Sequence, residues 1–187
     1  DKIPERELEV MTATIRMYTQ PTLEIDVPKI TEAVENYETK RAELITQAGV
    51  ERSVLSSNPQ FKAYLESLGV PTPESLSKKN PEFTQLQYHK NPKVATAVKA
   101  RLLTMSTLVR TRGHKLIEIS KRSPCWPIEL AYSGAVTGRW SGQGGVNPQN
   151  LTSALKAGLR APSGYLLINA DLKAIEARIL SWICGQN

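Results

Sequence analysis

The chain has 187 residues, with 24 Lys and Arg against 18 Asp and Glu and a formal charge of +6 at pH 7. Its 40% hydrophobic and 22% charged content is that of a globular chain with a core, which excludes collagen-like and low-complexity polymers. No apolar run is long enough for a membrane span and no secretory signal opens the chain, so the expectation is a cytoplasmic protein with no membrane partner. Cys125 and Cys184 lack metal-ligand spacing and are expected to be reduced thiols.

Leu8, Met11, Ile15 and Tyr18 recur at helical spacing over 5–19, and Pro21 ends that helix. Thr22 to Val27 reads as extended. Pro28 then opens a helix to about Gly49, with Ile30, Val34, Tyr37, Arg41 and Leu44 along one stripe. A short helix follows Asn58-Pro59 and carries Phe61, Tyr64, Leu65 and Leu68 on one face up to Gly69. Residues 70–92 contain four prolines and read as a loop-rich tip.

Asn91-Pro92 begins the longest expected helix, about 92–121, with Gly113 as its expected bend. Two long helices joined by a polar tip suggest an antiparallel hairpin. From Lys93 to Arg122 there are eight basic residues against a single acid, Glu118. Such a block fits a polyanion partner, with a solvated helix face as the alternative. Pro124 and Pro127 stop the helix, and Ile128 to Ser133 alternates as a strand does. Five glycines between 134 and 145 make a flexible stretch that a partner can approach closely.

Residues 162–185 carry the most pointed chemistry. Pro162, Ser163 and Gly164 mark a turn, and Tyr165 to Ile168 read as a buried strand. Asp171 follows, and Ile175, Ile179 and Trp182 continue as a helix that Gly185 stops. A carboxylate at a strand end is a rigidly held hard ligand suited to Mg²⁺, and Glu176 near the helix start suits the helix dipole. On spacing alone, the same residues also describe an ordinary strand–turn–helix.

Thr137-Gly-Arg139-Trp-Ser141, then Asn147-Pro-Gln149-Asn150, then Asp171-Leu-Lys-Ala-Ile-Glu176-Ala-Arg178 stand in order at sensible spacing. This set resembles the family-A DNA polymerases, the bacterial polymerase I and phage replicative type. The wording after Asp171 most resembles phage and prophage members. The resemblance is strong over about 128–187 and weaker upstream.

The resemblance implies an α+β fold, with a helical thumb-like hairpin over 1–123 and a partial palm with a small antiparallel sheet over 124–187. It implies that Asp171 binds the two Mg²⁺ ions, with the Leu172 carbonyl beside it, and that Glu176 screens the sugar of an incoming deoxynucleoside triphosphate. Thr137, Arg139, Ser141, Asn147, Gln149 and Asn150 would hold duplex primer–template DNA. Arg110, Arg112 and Lys115 of the basic block would meet phosphate. Leu172 and Lys173 stand where Tyr-Ser is usual, and Pro148 stands where Leu is usual. The family's fingers helix and its second palm carboxylate, in a His-Asp-Glu motif, do not occur in this sequence. The expectation is therefore one part of a polymerase, inactive alone: a fragment, the product of a truncated gene, or the first piece of a split enzyme that a second polypeptide completes. A duplex-binding remnant without chemistry is the alternative.

Overall fold

Asp26 stands just before the helix that spans the molecule. It accepts a hydrogen bond from the Lys29 backbone N–H at 3.2 Å, filling one of the donors that a helix start leaves open. That helix, α2, runs Val27–Ala48 with Pro28 in its first turn. It stops at Gly49, whose φ of 60° is the left-handed cap that only glycine adopts cheaply. The computed structural model to which these values belong describes residues 3–170 and 172–186.

Before α2 come α1 (Glu5–Thr19) and β1 (Glu24–Ile25). After it come α3 (Arg52–Ser56), α4 (Asn58–Ser67), α5 (Pro81–Gln85), α6 (Pro92–Met105) and α7 (Leu108–Ser120). The last third holds β2 (Leu130–Ala131), β3 (Ser141–Gly142), α8 (Ser153–Lys156), β4 (Leu159–Arg160) and α9 (Ile175–Ile183). β1 pairs antiparallel with β4, and β2 pairs antiparallel with β3. Mostly helical, with two small antiparallel pairs, the described chain is of the α+β class.

Two cores form because α2 is long enough to run through both. The tip core gathers Leu55, Phe61, Leu65, Phe83, Val94 and Val98, with Leu44 and Ile45 of α2 packed on it. The base core gathers Ile25, Ile30, Leu116, Trp126, Leu151 and Leu155. The base core draws on both sides of position 124. The Trp126 N–H donates to the Leu23 carbonyl at 2.7 Å, and the Asp26 N–H donates to Gly158 at 2.8 Å.

Four local expectations are corrected. The helix expected over 92–121 breaks at Ser106 and Thr107, not at Gly113. Hydroxyl residues compete with the helical ladder there. Gly113 lies inside α7, where a Cβ would come within 2.3 Å of Val34 Cγ2, so the glycine serves close helix contact.

Tyr165 to Ile168, expected as a buried strand, make no ladder in the described structure and are 75%, 89%, 55% and 84% exposed. Among the described residues β4 pairs with β1, and no strand lies beside 165–168. The strand expected over 128–133 shortens to β2. The Ile128 N–H is taken by the Met17 carbonyl at 3.1 Å, and Ser133 turns to a φ of 51°. Arg101, one of the eight basic residues, is a core residue at 2% exposure and not part of a solvated face.

Candidate nucleic-acid interface

The loop from 131 to 150 is folded by its glycines and its one tryptophan. β2 and β3 pair Leu130 with Gly142 and Ala131 with Ser141, which lifts 133–139 into a tight excursion. The Ala135 N–H donates to the Arg139 carbonyl at 3.0 Å, and Gly138 closes the turn at φ 73°. Thr137 and Arg139 are exposed there, while Ser141 is half-buried. Trp140 fixes the excursion to the body. Its indole N–H donates to Thr14 Oγ1 at 3.0 Å, and its ring meets Tyr132 edge-on at 5.8 Å.

The second motif lies against the end of the first. A side chain on Gly142 would collide with Asn147, its Cβ falling 2.5 Å from Asn147 Cβ. Asn147 faces inward as a cap, its carboxamide oxygen accepting from the Gln149 N–H at 2.9 Å. The one-turn 3-10 helix Pro148–Asn150 that follows leaves Gln149 and Asn150 exposed. Buried Leu151 and Leu155 then anchor the segment in the base core.

The basic helix runs beside this loop. An Arg112 guanidinium N–H donates to the Asn150 carbonyl. Lys115 Nζ lies against Gly145, within 2.7 Å of where a Cβ would be. Arg110 turns the other way and stands 3.9 Å from Glu38, which also holds Arg41 at 3.2 Å. Of the three α7 cations expected to meet phosphate, Arg112 and Lys115 therefore reach the motif loop and Arg110 reaches α2.

The expected metal and nucleotide residues are not gathered with the loop. Asp171 lies outside the described residues. Leu172 is 67% exposed, and Glu176 is exposed in the first turn of α9. Among the described residues no hydrogen bond or ion pair joins either one to 137–150, and no three of His, Cys, Asp and Glu stand together as a metal site. The described donors do not by themselves compose a two-Mg²⁺ site. α9 also carries exposed Ile179, Leu180, Trp182 and Ile183.

A second cationic surface was not marked by any sequence pattern. Lys62 and Lys78, with Glu74 between them, line an open groove of about 710 Å³ with Asn58, Ser75 and Ser77, and the buried Arg101 lies at its floor. Arg101 is drawn there by oxygens and not by a carboxylate. It donates to the Leu55 and Asn58 oxygens, and its guanidinium carbon lies 4.7 Å from the centre of the Phe61 ring. Burial holds its pKa below the usual arginine value. The signal that could have found it was the Asn58-Pro59 helix start facing a lone arginine on an apolar helix.

Comparison with protein-family models and with curated proteins finds no match to this chain. No helix among the described residues is long and apolar enough to cross a membrane.

Proposed function

We propose that the chain is a thumb and partial palm of a family-A DNA polymerase, holding duplex primer–template DNA without regard to sequence. One observation carries the reading. The Asn-Pro-Gln-Asn motif packs at Asn147 against Gly142, next to the Thr-Gly-Arg-Trp-Ser motif, and α7 reaches the same loop through Arg112 at the Asn150 carbonyl and Lys115 at Gly145. A surface with exposed Arg139, Gln149 and Asn150 beside a basic helix suits the minor-groove edge and sugar–phosphate of a duplex, where acceptors differ little between base pairs. The cationic groove at the tip would meet phosphate further along the same duplex.

In this reading the chain contributes Asp171 and the Leu172 carbonyl toward Mg²⁺, and Glu176 toward the sugar of the deoxynucleoside triphosphate. The exposed apolar faces at 165–168 and on α9 suit a surface covered by further protein carrying the fingers and the second carboxylate. The alternative is a duplex-binding remnant without chemistry.

The test is fluorescence anisotropy with a labelled primer–template. Arg139→Ala combined with Gln149→Ala should weaken duplex binding about tenfold or more, as loss of two polar contacts does. Unchanged affinity contradicts the reading. Primer extension with an added fingers-and-palm polypeptide separates the two versions. Extension that Asp171→Asn abolishes supports the enzyme, and no extension by the wild type supports the remnant.

A further inference from the structure

We propose that Arg112 is a positioning residue of this face: it holds the main chain of the Pro148–Asn150 turn and so sets how Gln149 and Asn150 are presented, instead of contacting phosphate. The inference rests on the duplex-binding reading for its purpose, but the contact itself stands on local geometry.

Arg112 starts from a fixed point. Its neighbour Gly113 is wedged against Val34 of α2, with Leu155 and Ile30 close behind, so α7 cannot slide there without collision. From that point the Arg112 guanidinium crosses to the Asn150 carbonyl, 38 residues away. The Gln149 and Asn150 backbone N–H groups are already engaged locally. Asn147 accepts from the Gln149 N–H at 2.9 Å, and the Asn150 N–H donates to the Asn147 carbonyl at 3.1 Å. The turn is thus closed on itself, and Arg112 is the charged side chain that fastens it to the basic helix. A guanidinium on a neutral carbonyl keeps its charge, so the contact adds positive potential beside the loop while fixing the loop's geometry. Arg110 contrasts with it, being directed at Glu38.

The experiment has two arms on the whole chain. In the free protein, amide hydrogen exchange is followed by NMR at Gln149, Asn150 and Leu151 for wild type, Arg112→Ala and Arg112→Lys. In the second arm, duplex affinity is measured against salt for the same proteins and for Asn150→Ala alone and combined with Arg112→Ala. Arg112→Ala should speed exchange at these amides and weaken binding, each about tenfold, the worth of one charge-assisted hydrogen bond. The salt slope should stay the same. Asn150→Ala should cost less in the Arg112→Ala background than in wild type, a coupling that a general loss of stability would not produce. Arg112→Lys should leave the turn loose, because the ammonium lacks the guanidinium's reach and fork. Three results would overturn the proposal: unchanged exchange, additive effects of the two alanines, or a salt slope reduced by about 0.9, the mark of one lost phosphate contact. If wild type binds no duplex, the functional reading fails by itself, and the exchange arm still decides whether Arg112 holds the turn.

Discussion

The Tyr37 hydroxyl lies 2.7 Å from the Leu103 carbonyl and also against the Ser106 carbonyl, where α6 gives out before α7 begins. A helix end leaves carbonyls without partners, and here a side chain from the middle of α2 supplies the donor. The contact sits on the border between the tip core and the base core. It lets one continuous helix back two shorter ones that change direction.

Tyr37→Phe removes that donor and leaves packing nearly intact. It should lower stability by about 1 kcal/mol, the usual net worth of such a hydrogen bond. A shift of the urea midpoint without a change in slope would report it. An unchanged midpoint would mean that water caps the break equally well.

Gly113→Ala sets two effects against each other. Alanine gains about 1 kcal/mol over glycine in a helix interior. The new methyl would stand 2.3 Å from Val34 Cγ2, and overpacking of that kind costs about 1–3 kcal/mol. The expected result is a lower melting temperature, restored in part by Val34→Ala. A higher melting temperature for Gly113→Ala alone would show that α2 and α7 separate easily.

Arg101→Met would strip the Leu55 carbonyl and the Asn58 side chain of their donor. Loss of several hydrogen bonds from one buried charged group should cost about 2–4 kcal/mol in chemical denaturation. Arg101→Lys should rescue little, since an ammonium cannot reproduce a planar fork stacked on Phe61. Full rescue by lysine would contradict that account of the tip core.

Asp26 is held below its ordinary carboxylate value of 3.8, first by the hydrogen bond from the Lys29 backbone N–H. A lowered folded pKa means that the unfolded chain takes up the proton first as pH falls. The helix-capping stabilisation is therefore complete above the unfolded value and fades as pH drops through the folded one. Asp26→Ala should melt lower than wild type near neutral pH, and the gap should narrow below about pH 4. A gap independent of pH would show that the carboxylate charge plays no part.

The helices were legible wherever caps and stripes agreed. Pro28 and Gly49 bracketed α2 to within a residue, because each acts through local backbone chemistry; the Asp26 cap was not singled out. The break at Ser106 was not legible, since it is sustained by Tyr37 from 69 residues away. The apolar run Tyr165–Ile168 has a strand's composition, but a strand also needs an edge to pair with, and composition says nothing of that. At the candidate site, resemblance alone singled out Arg139, Gln149 and Asn150, and the structure shows them exposed. What Trp140 ties down, where Arg112 points and why Arg101 is buried all depend on contacts across the chain.

The most direct test of the central claim is the affinity of the intact chain for primer–template duplexes of unrelated sequence between about 50 and 200 mM salt. The account predicts binding that is alike for all sequences, favours duplex over single strand, and falls on a log–log plot with a slope of about −2 or steeper, at about 0.9 per phosphate engaged. Binding that ignores salt, binding confined to one sequence, or no binding at all would contradict it.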